Sequence, residues 1–231
     1  MKKIINPYNF LYLTFIICTL VGNGFYITGS QLWVKALASA SFLLIGVISL
    51  IFTIKNKGAN LRFAITMLVG LTLAMLGDIL LEVNFIVGAA SFALGHVAYF
   101  ISYCILCKFK WTDLIAGGVL ATASVLVILL VPIFTLEPIM QVLIICYAIV
   151  ISFMLCKALT NFIRQRNAIN LILLIGSFLF FFSDLMLLLG NRDFTNLAPA
   201  TQALLGILCL ATYYPAEILL ALSPRFDKSQ K

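Results

Sequence analysis

Charge is scarce in this chain. Only 10% of its 231 residues are charged, eight residues are acidic, and 63% are hydrophobic. Soluble domains carry about a quarter charged residues, so the composition excludes a soluble protein. Histidine is scarcer still, because His96 is the single example. A hydrolytic metal site needs about three His, Asp, Glu or Cys ligands, so we predict neither a metal nor another cofactor. We interpret Cys104 and Cys107 as helix-packing residues rather than a redox or metal pair.

Long apolar runs take the place of the missing charge. A helix needs about 20 residues to cross the hydrocarbon core of a bilayer. The linkers between the runs are too short for a soluble domain, so we predict an all-α polytopic membrane protein in which residues 1–231 form a single transmembrane domain of eight helices. The first run is too long for a secretory signal, and we keep it as a helix. The predicted helices lie near 9–27, 31–54, 60–82, 84–107, 112–134, 138–161, 168–190 and 197–222.

Basic residues are distributed unevenly between the two ends of these helices. The net charge is +7, and the lysines and arginines collect at alternate ends of successive runs. The positive-inside rule therefore places both termini in the cytoplasm, and we expect a multi-pass protein of a bacterial-type inner (cell) membrane. Because this rule explains the basic residues, we predict no nucleic-acid partner and no particular protein partner, with contacts to anionic membrane lipid instead.

Two aspartates lie inside apolar runs. An Asp at the centre of a membrane helix costs roughly 2.5–3.5 kcal/mol, so its side chain is expected to face a cavity or a partner. Asp78 lies about five residues from the outer end of helix 3, and Asp184 lies about six residues from the outer end of helix 7. This common depth predicts that they form a dyad. Glu82, one turn beyond Asp78, is interpreted as a solvated residue at the helix end.

Other polar residues are open to two interpretations. Lys35 either snorkels to the headgroups or meets a carboxylate or a lipid phosphate. His96 shares a stripe of helix 4 with Tyr99, where it is either a hydrogen-bonded packing residue or a proton shuttle. Glu217 is expected near the inner interface, on one stripe of helix 8 with Tyr213 and Gln202.

Helices 5 and 6 are expected to contribute little to a site. Tyr147 is taken as an isolated polar position, and Lys157 is expected to reach the inner interface.

A pair of carboxylates with different surroundings is suited to acid–base chemistry. An intramembrane aspartyl protease also uses two aspartates, but its Gly-x-Gly-Asp and Tyr-Asp motifs are absent, since the residues before Asp78 are Met75-Leu76-Gly77 and those before Asp184 are Phe182-Ser183. A serine nucleophile is disfavoured because Ser183 and Asp184 lie on different faces of their helix. Acid–base catalysis by the carboxylates is the chemistry that remains.

Four short segments, in this order, resemble the successive motifs of the YhhN family, whose characterised members are lysoplasmalogenases. They are LGDILL at 76–81, FALGHVAY at 92–99, FSD at 182–184 and YYPAEILLALS at 213–223. Lys35 resembles the family's helix-2 lysine, although Ala36 replaces the usual proline. Glu217 stands where glutamine or histidine is more familiar. The resemblance spans essentially the whole chain.

The resemblance implies hydrolysis of the vinyl ether of a lysoplasmalogen, a lysophospholipid, to a fatty aldehyde and a glycerophospho-alcohol. Such a reaction begins with a proton delivered to carbon and proceeds through an oxocarbenium ion, so two carboxyl groups suit it. We hypothesise that Asp78 and Asp184 divide these roles, with His96 orienting the water or the acid. We assign substrate binding to Lys35, which would hold the phosphate, and to Glu82, Tyr99, Tyr213 and Glu217.

Buried acids, a histidine and a lysine are also the components of a proton relay. A proton-coupled transporter or flippase of a lipid or small molecule is therefore the alternative function. A purely structural arrangement, in which Lys35 bridges the aspartates, is the third.

Overall fold

The computed structural model describes residues 7–29, 31–55 and 60–227, which form eight long α-helices and no strands. All eight are long and apolar enough to cross a membrane, which confirms the predicted number of helices of spanning length. A short 3₁₀ turn, Ser223–Phe226, follows the last helix. The helices are α1 Pro7–Gly29, α2 Leu32–Lys55, α3 Leu61–Val83, α4 Phe85–Leu106, α5 Trp111–Leu130, α6 Pro138–Arg164, α7 Ala168–Gly190 and α8 Pro199–Leu222.

Asparagine and proline mark the starts of several helices. Asn60, Asn84 and Asn167 each accept a hydrogen bond from the backbone N–H three residues later, which caps α3, α4 and α7. Pro138 and Pro199 occupy the first helical position of α6 and α8, where a missing N–H costs nothing. Local sequence therefore determines where most of these helices begin.

The predicted boundaries need two corrections. Helix 5 ends at Leu130 and not near residue 134, because Pro132 disfavours a helical conformation at the preceding residue. Helix 6 continues to Arg164, three residues beyond the prediction, and Arg164 in this last turn forms an ion pair with Asp113 on α5.

Helices that follow one another in the chain pack as antiparallel pairs, α1 with α2, α3 with α4, α5 with α6 and α7 with α8. α8 also packs against α2, and α6 packs against both α4 and α7. Among the described helices, α5 packs against α6 alone. α5 therefore lies at the periphery of the bundle.

Glycine allows α3 and α4 to approach closely. A Cβ at Gly88 would lie 2.5 Å from the backbone nitrogen of Leu81, and a Cβ at Gly70 would lie 2.3 Å from the ring of Tyr99. Side chains larger than hydrogen at these positions would force the two helices apart. The close approach places Tyr99 and His96 of α4 deep in the core, where both are fully buried.

Most of the described lysines and arginines lie at one end of the bundle, which we call the basic end, while Lys35 and Arg192 lie towards the other end. The basic end contains the start of α1 and the end of α8, where Arg225 Nη2 donates to Asn9 Oδ1 at 2.6 Å. The two ends of the described chain therefore lie on the same side, as an even number of spans requires. The positive-inside prediction that this side is cytoplasmic stays a prediction.

Candidate active site

A cavity of about 310 Å³ lies in the half of the bundle away from the basic end. Residues of α3, α4, α5, α6 and α7 line it, and nearly all are apolar, such as Phe85, Ile128 and Phe181. The polar lining residues are Ser124, Tyr147 and Asp184. The cavity therefore combines a lining suited to a hydrocarbon chain with one carboxyl group.

Asp184 is held in the cavity wall by two side chains. The Tyr147 hydroxyl donates to Asp184 Oδ2 at 2.6 Å, and His96 Nε2 lies 3.2 Å from the same oxygen. His96 Nε2 also lies 2.7 Å from the Tyr147 hydroxyl oxygen. Because that hydroxyl uses its one proton on Asp184, Nε2 is the donor to Tyr147. We call Asp184, His96 and Tyr147 the cavity group.

The three members of the cavity group differ in exposure. The Asp184 side chain is 15% exposed, whereas His96 is fully buried behind it. The edge of the Phe180 ring packs against the imidazole, with ring centroids 4.6 Å apart and an interplanar angle of 81°. Nδ1 of His96 is buried without a hydrogen-bond partner among the described residues. His96 therefore orients Asp184 from behind, and Asp184 is the group that meets the cavity.

Asp78 belongs to a different group. Ser39 on α2 donates to Asp78 Oδ2 at 2.5 Å, and the hydroxyl of Tyr213 on α8 donates to the same oxygen at 2.8 Å. Asp78 is 3% exposed and is not among the cavity-lining residues. We call Asp78, Ser39 and Tyr213 the core group, because it links α2, α3 and α8 within the protein interior.

The structure does not pair the two aspartates directly, although the sequence predicted such a pair. Their hydrogen-bond partners differ, and α3 and α7 do not pack together in the described part of the chain. The Phe180 ring packs against one member of each group. Its centroid lies 4.6 Å from the centroid of the His96 ring and 5.3 Å from that of the Tyr213 ring. Equal depth in two helices does not imply contact, because depth carries no information about which helices are neighbours.

Lys35 meets a carboxylate, as one of its two interpretations required. Its Nζ lies 2.8 Å from Oε1 of Glu82, and the Tyr26 hydroxyl donates to the same oxygen at 2.7 Å. The Glu82 side chain is 38% exposed and that of Lys35 only 7%. Glu82 is therefore an ion-paired residue and not simply a solvated one. The ion pair lies one helical turn beyond the Ser39–Asp78 hydrogen bond, because Lys35 precedes Ser39 by four residues and Glu82 follows Asp78 by four.

Glu217 is fully buried, which corrects the expectation that it lies at the interface. It accepts a hydrogen bond of 2.8 Å from the Tyr99 hydroxyl, and its Oε1 has no partner among the described residues. The Glu217 side chain extends into the interior of the bundle, where it meets the Tyr99 side chain of α4. A position near the end of a span is therefore compatible with complete burial when the side chain lies on the inward face of its helix.

Sequence reasoning underrated helices 5 and 6. Tyr147 was taken as isolated, yet it contacts both other members of the cavity group. Lys157 was expected at the interface, yet it is fully buried and pairs with Asp113 at 2.9 Å. Arg164 pairs with the other oxygen of Asp113. The spacing of seven between Lys157 and Arg164 puts them on one helix face. This spacing is the sequence signal from which a shared partner could have been predicted.

Comparison with known proteins identifies the family of this chain. A model of the YhhN family matches residues 30–224. The chain belongs to the YhhN family. No curated protein and no solved structure matches it. The region matched to the YhhN family contains the whole cavity group, the whole core group and both members of the Lys35–Glu82 ion pair, and eight apolar helices accord with an integral multi-pass membrane protein.

Proposed function

We propose that this YhhN protein is a membrane-embedded hydrolase of lysoplasmalogenase type. It cleaves the vinyl ether bond of a lysophospholipid and releases a fatty aldehyde and a glycerophospho-alcohol. Membership of the YhhN family, which is associated with this activity, supports the proposal. The observation that carries it is a carboxyl group, Asp184, in the wall of a cavity whose lining is almost entirely apolar.

The cavity suits the substrate's single hydrocarbon chain. Apart from Ser124, Tyr147 and Asp184, the lining residues from α4, α5, α6 and α7 are apolar, so a hydrocarbon chain placed there would contact mainly apolar side chains. The vinyl ether joins this chain to glycerol, and it would lie where the cavity becomes polar, beside Asp184 and Tyr147. The chain thereby presents its reactive double bond to the carboxyl group.

Asp184 in its acid form would start the reaction. Its proton goes to the vinyl carbon one bond further from the ether oxygen, while the double-bond electrons form the new C–H bond. The resulting oxocarbenium ion lies beside the Asp184 carboxylate, which stabilises the positive charge. Water adds to the carbon that bears the oxygen and returns one proton to the carboxylate. The hemiacetal then breaks its bond to the glycerol oxygen, which takes up the hydroxyl proton and leaves the aldehyde.

His96 and Tyr147 would hold the carboxyl group in place through this cycle. Both hydrogen-bond to the same oxygen, Oδ2, so Oδ1 is available to the substrate. These two hydrogen bonds fix the orientation of the carboxyl group, and they would remain in place after its proton leaves. In this proposal His96 is a positioning residue, and Asp184 is the catalytic residue.

Asp78 would act at a distance, by positioning α8. It is enclosed by Ser39 and Tyr213, and Tyr213 packs against Phe92, a cavity-lining ring, with centroids 5.9 Å apart. Lys35, Glu82, Tyr99, Tyr213 and Glu217 likewise do not line the cavity. We therefore propose that these residues contribute to substrate binding indirectly, by fixing the shape of the cavity. Lys35 would hold the phosphate of the substrate only if this phosphate replaced Glu82 as its ion-pair partner.

The experiment compares two lipids that differ in one double bond. Purified protein in detergent is incubated with an alkenyl lysophospholipid and with its saturated alkyl analogue, and released aldehyde is trapped. We expect aldehyde from the alkenyl lipid alone, and its loss in Asp184→Asn. Asp193→Asn, on an exposed loop, is the matched control and is expected to keep full activity. No aldehyde from folded wild-type protein would overturn the proposal, as would full activity in Asp184→Asn.

Proton-coupled transport is the second candidate. The observation in its favour is a series of buried polar contacts that continues towards the basic end, from the Tyr99–Glu217 hydrogen bond to the Tyr103–Ser177 contact at 2.9 Å. Buried polar chains of this type serve proton relays in transporters. Uptake of lipid into proteoliposomes without breakdown of the lipid would favour transport over hydrolysis.

A further inference from the structure

An open cleft of about 500 Å³ lies at the basic end of the bundle, between the α4–α5 turn and the end of α6. We propose that this cleft binds the phosphate of an anionic phospholipid headgroup. The residues that line it are Leu106, Cys107, Lys108, Lys110, Arg164 and Gln165. Three of these six are cationic and none is acidic, so the lining favours an anion.

The nearest carboxylate does not cancel this charge. Asp113 is 1% exposed, and its two oxygens accept hydrogen bonds from Lys157, Arg164 and the backbone N–H of Lys110. Lys157 and Arg164 together carry one more positive charge than Asp113 neutralises. Lys108 and Lys110 add two further charges on exposed side chains, and neither forms an ion pair within the described ranges. The cleft therefore has an excess of positive charge that a phosphate would neutralise.

Two exposed aromatic side chains flank the cleft. Trp111 is 78% exposed and Phe109 is 47% exposed. Both lie in or beside the short turn that carries Lys108 and Lys110. Tryptophan at the end of a membrane span places its ring at the level of the lipid headgroups. The aromatic rings therefore put the cleft at the depth where a lipid phosphate lies, which favours a lipid over a free anion.

The cleft is distinct from the cavity of the proposed hydrolase. α4 borders the cavity as far as Phe92 and the cleft at Leu106, and 14 residues of helix correspond to roughly 21 Å. A substrate whose vinyl ether lies at Asp184 would not place its phosphate in the cleft. The proposed ligand is therefore a resident membrane lipid, and the proposal is independent of the hydrolase activity.

The test measures lipid binding by purified protein. Native mass spectrometry and thermal unfolding in detergent are recorded with added phosphatidylglycerol, with phosphatidylcholine and with water-soluble glycerol phosphate. The variant Lys108→Gln/Lys110→Gln is compared with Arg62→Gln/Arg192→Gln, which removes two exposed charges elsewhere. Unfolding without added lipid verifies that both variants fold.

A basic residue near an anionic lipid surface contributes roughly fivefold in affinity. We therefore expect the Lys108/Lys110 variant to bind phosphatidylglycerol about 30-fold more weakly, with little change in the control variant. We also expect wild-type protein to prefer phosphatidylglycerol to phosphatidylcholine and to bind glycerol phosphate weakly. Equal losses in both variants, equal binding of the two lipids, or equally tight binding of glycerol phosphate would each overturn the proposal.

Discussion

Asparagine substitutions at Asp184 and at Asp78 are expected to have unequal effects on catalysis. Asp184→Asn keeps the size of the side chain and its contacts with Tyr147 and His96 but removes the proton that would be transferred. A positioned general acid contributes typically 10²- to 10⁴-fold, so the rate of aldehyde release is expected to fall by that factor. This corresponds to about 3–5 kcal/mol of transition-state stabilisation.

Asp78→Asn removes no group from the cavity. The oxygen that accepts from Ser39 and Tyr213 becomes part of an amide, and each hydrogen bond to a charged group is worth about 1.5–3 kcal/mol. We therefore expect a lower unfolding temperature and a rate within about tenfold of wild type once the folded fraction is counted.

The assay is single-turnover aldehyde release from an alkenyl lysophospholipid, with the folded fraction of each sample measured by thermal unfolding in the same detergent. Single-turnover conditions isolate chemistry from product release. An equal fall in rate for both variants, in samples that remain folded, would refute the division between the cavity group and the core group. It would instead support two carboxylates that act together on the substrate.

Four further substitutions test the fold and the cavity. Asp113→Ala leaves the buried Lys157 without its carboxylate and is expected to destabilise the protein by about 3–5 kcal/mol, measured by unfolding in detergent; unchanged stability would contradict the importance of this ion pair. Gly88→Ala would bring a Cβ against helix backbone and is expected to cost about 1–3 kcal/mol, whereas Gly118→Ala, with open space around it, is expected to be neutral or stabilising by up to about 1 kcal/mol. Equal stability of the two glycine variants would refute the close α3–α4 packing. Ala89→Phe reduces the volume of the cavity. Because each buried methylene contributes about 0.8 kcal/mol, activity on substrates with the longest hydrocarbon chains is expected to fall about fourfold per displaced methylene. An unchanged dependence of activity on chain length would show that the hydrocarbon chain binds elsewhere.

Composition and apolar run length alone determined the class of protein and the number of spans. Hydrocarbon thickness sets a minimum length for a spanning helix, and this constraint acts on each segment separately. The caps at Asn60, Asn84 and Asn167 are also local, since a side chain bonds a backbone N–H only three residues away. The order of four short motifs was enough to identify the YhhN family, which the match over residues 30–224 confirms.

The neighbours of each buried polar residue were decided by tertiary structure alone. Helical periodicity gives the face on which a residue lies but not the helix that covers this face. Their equal depth therefore suggested that Asp78 and Asp184 are partners. The packing of α3 against α2 and α8 instead brings Asp78 into hydrogen-bonding contact with Ser39 and Tyr213. The packing of α6 between α4 and α7 brought Tyr147, apparently isolated in sequence, to Asp184 and His96. A hydrogen bond between helices needs contact in three dimensions, and one sequence specifies that contact only through the packing of the whole bundle.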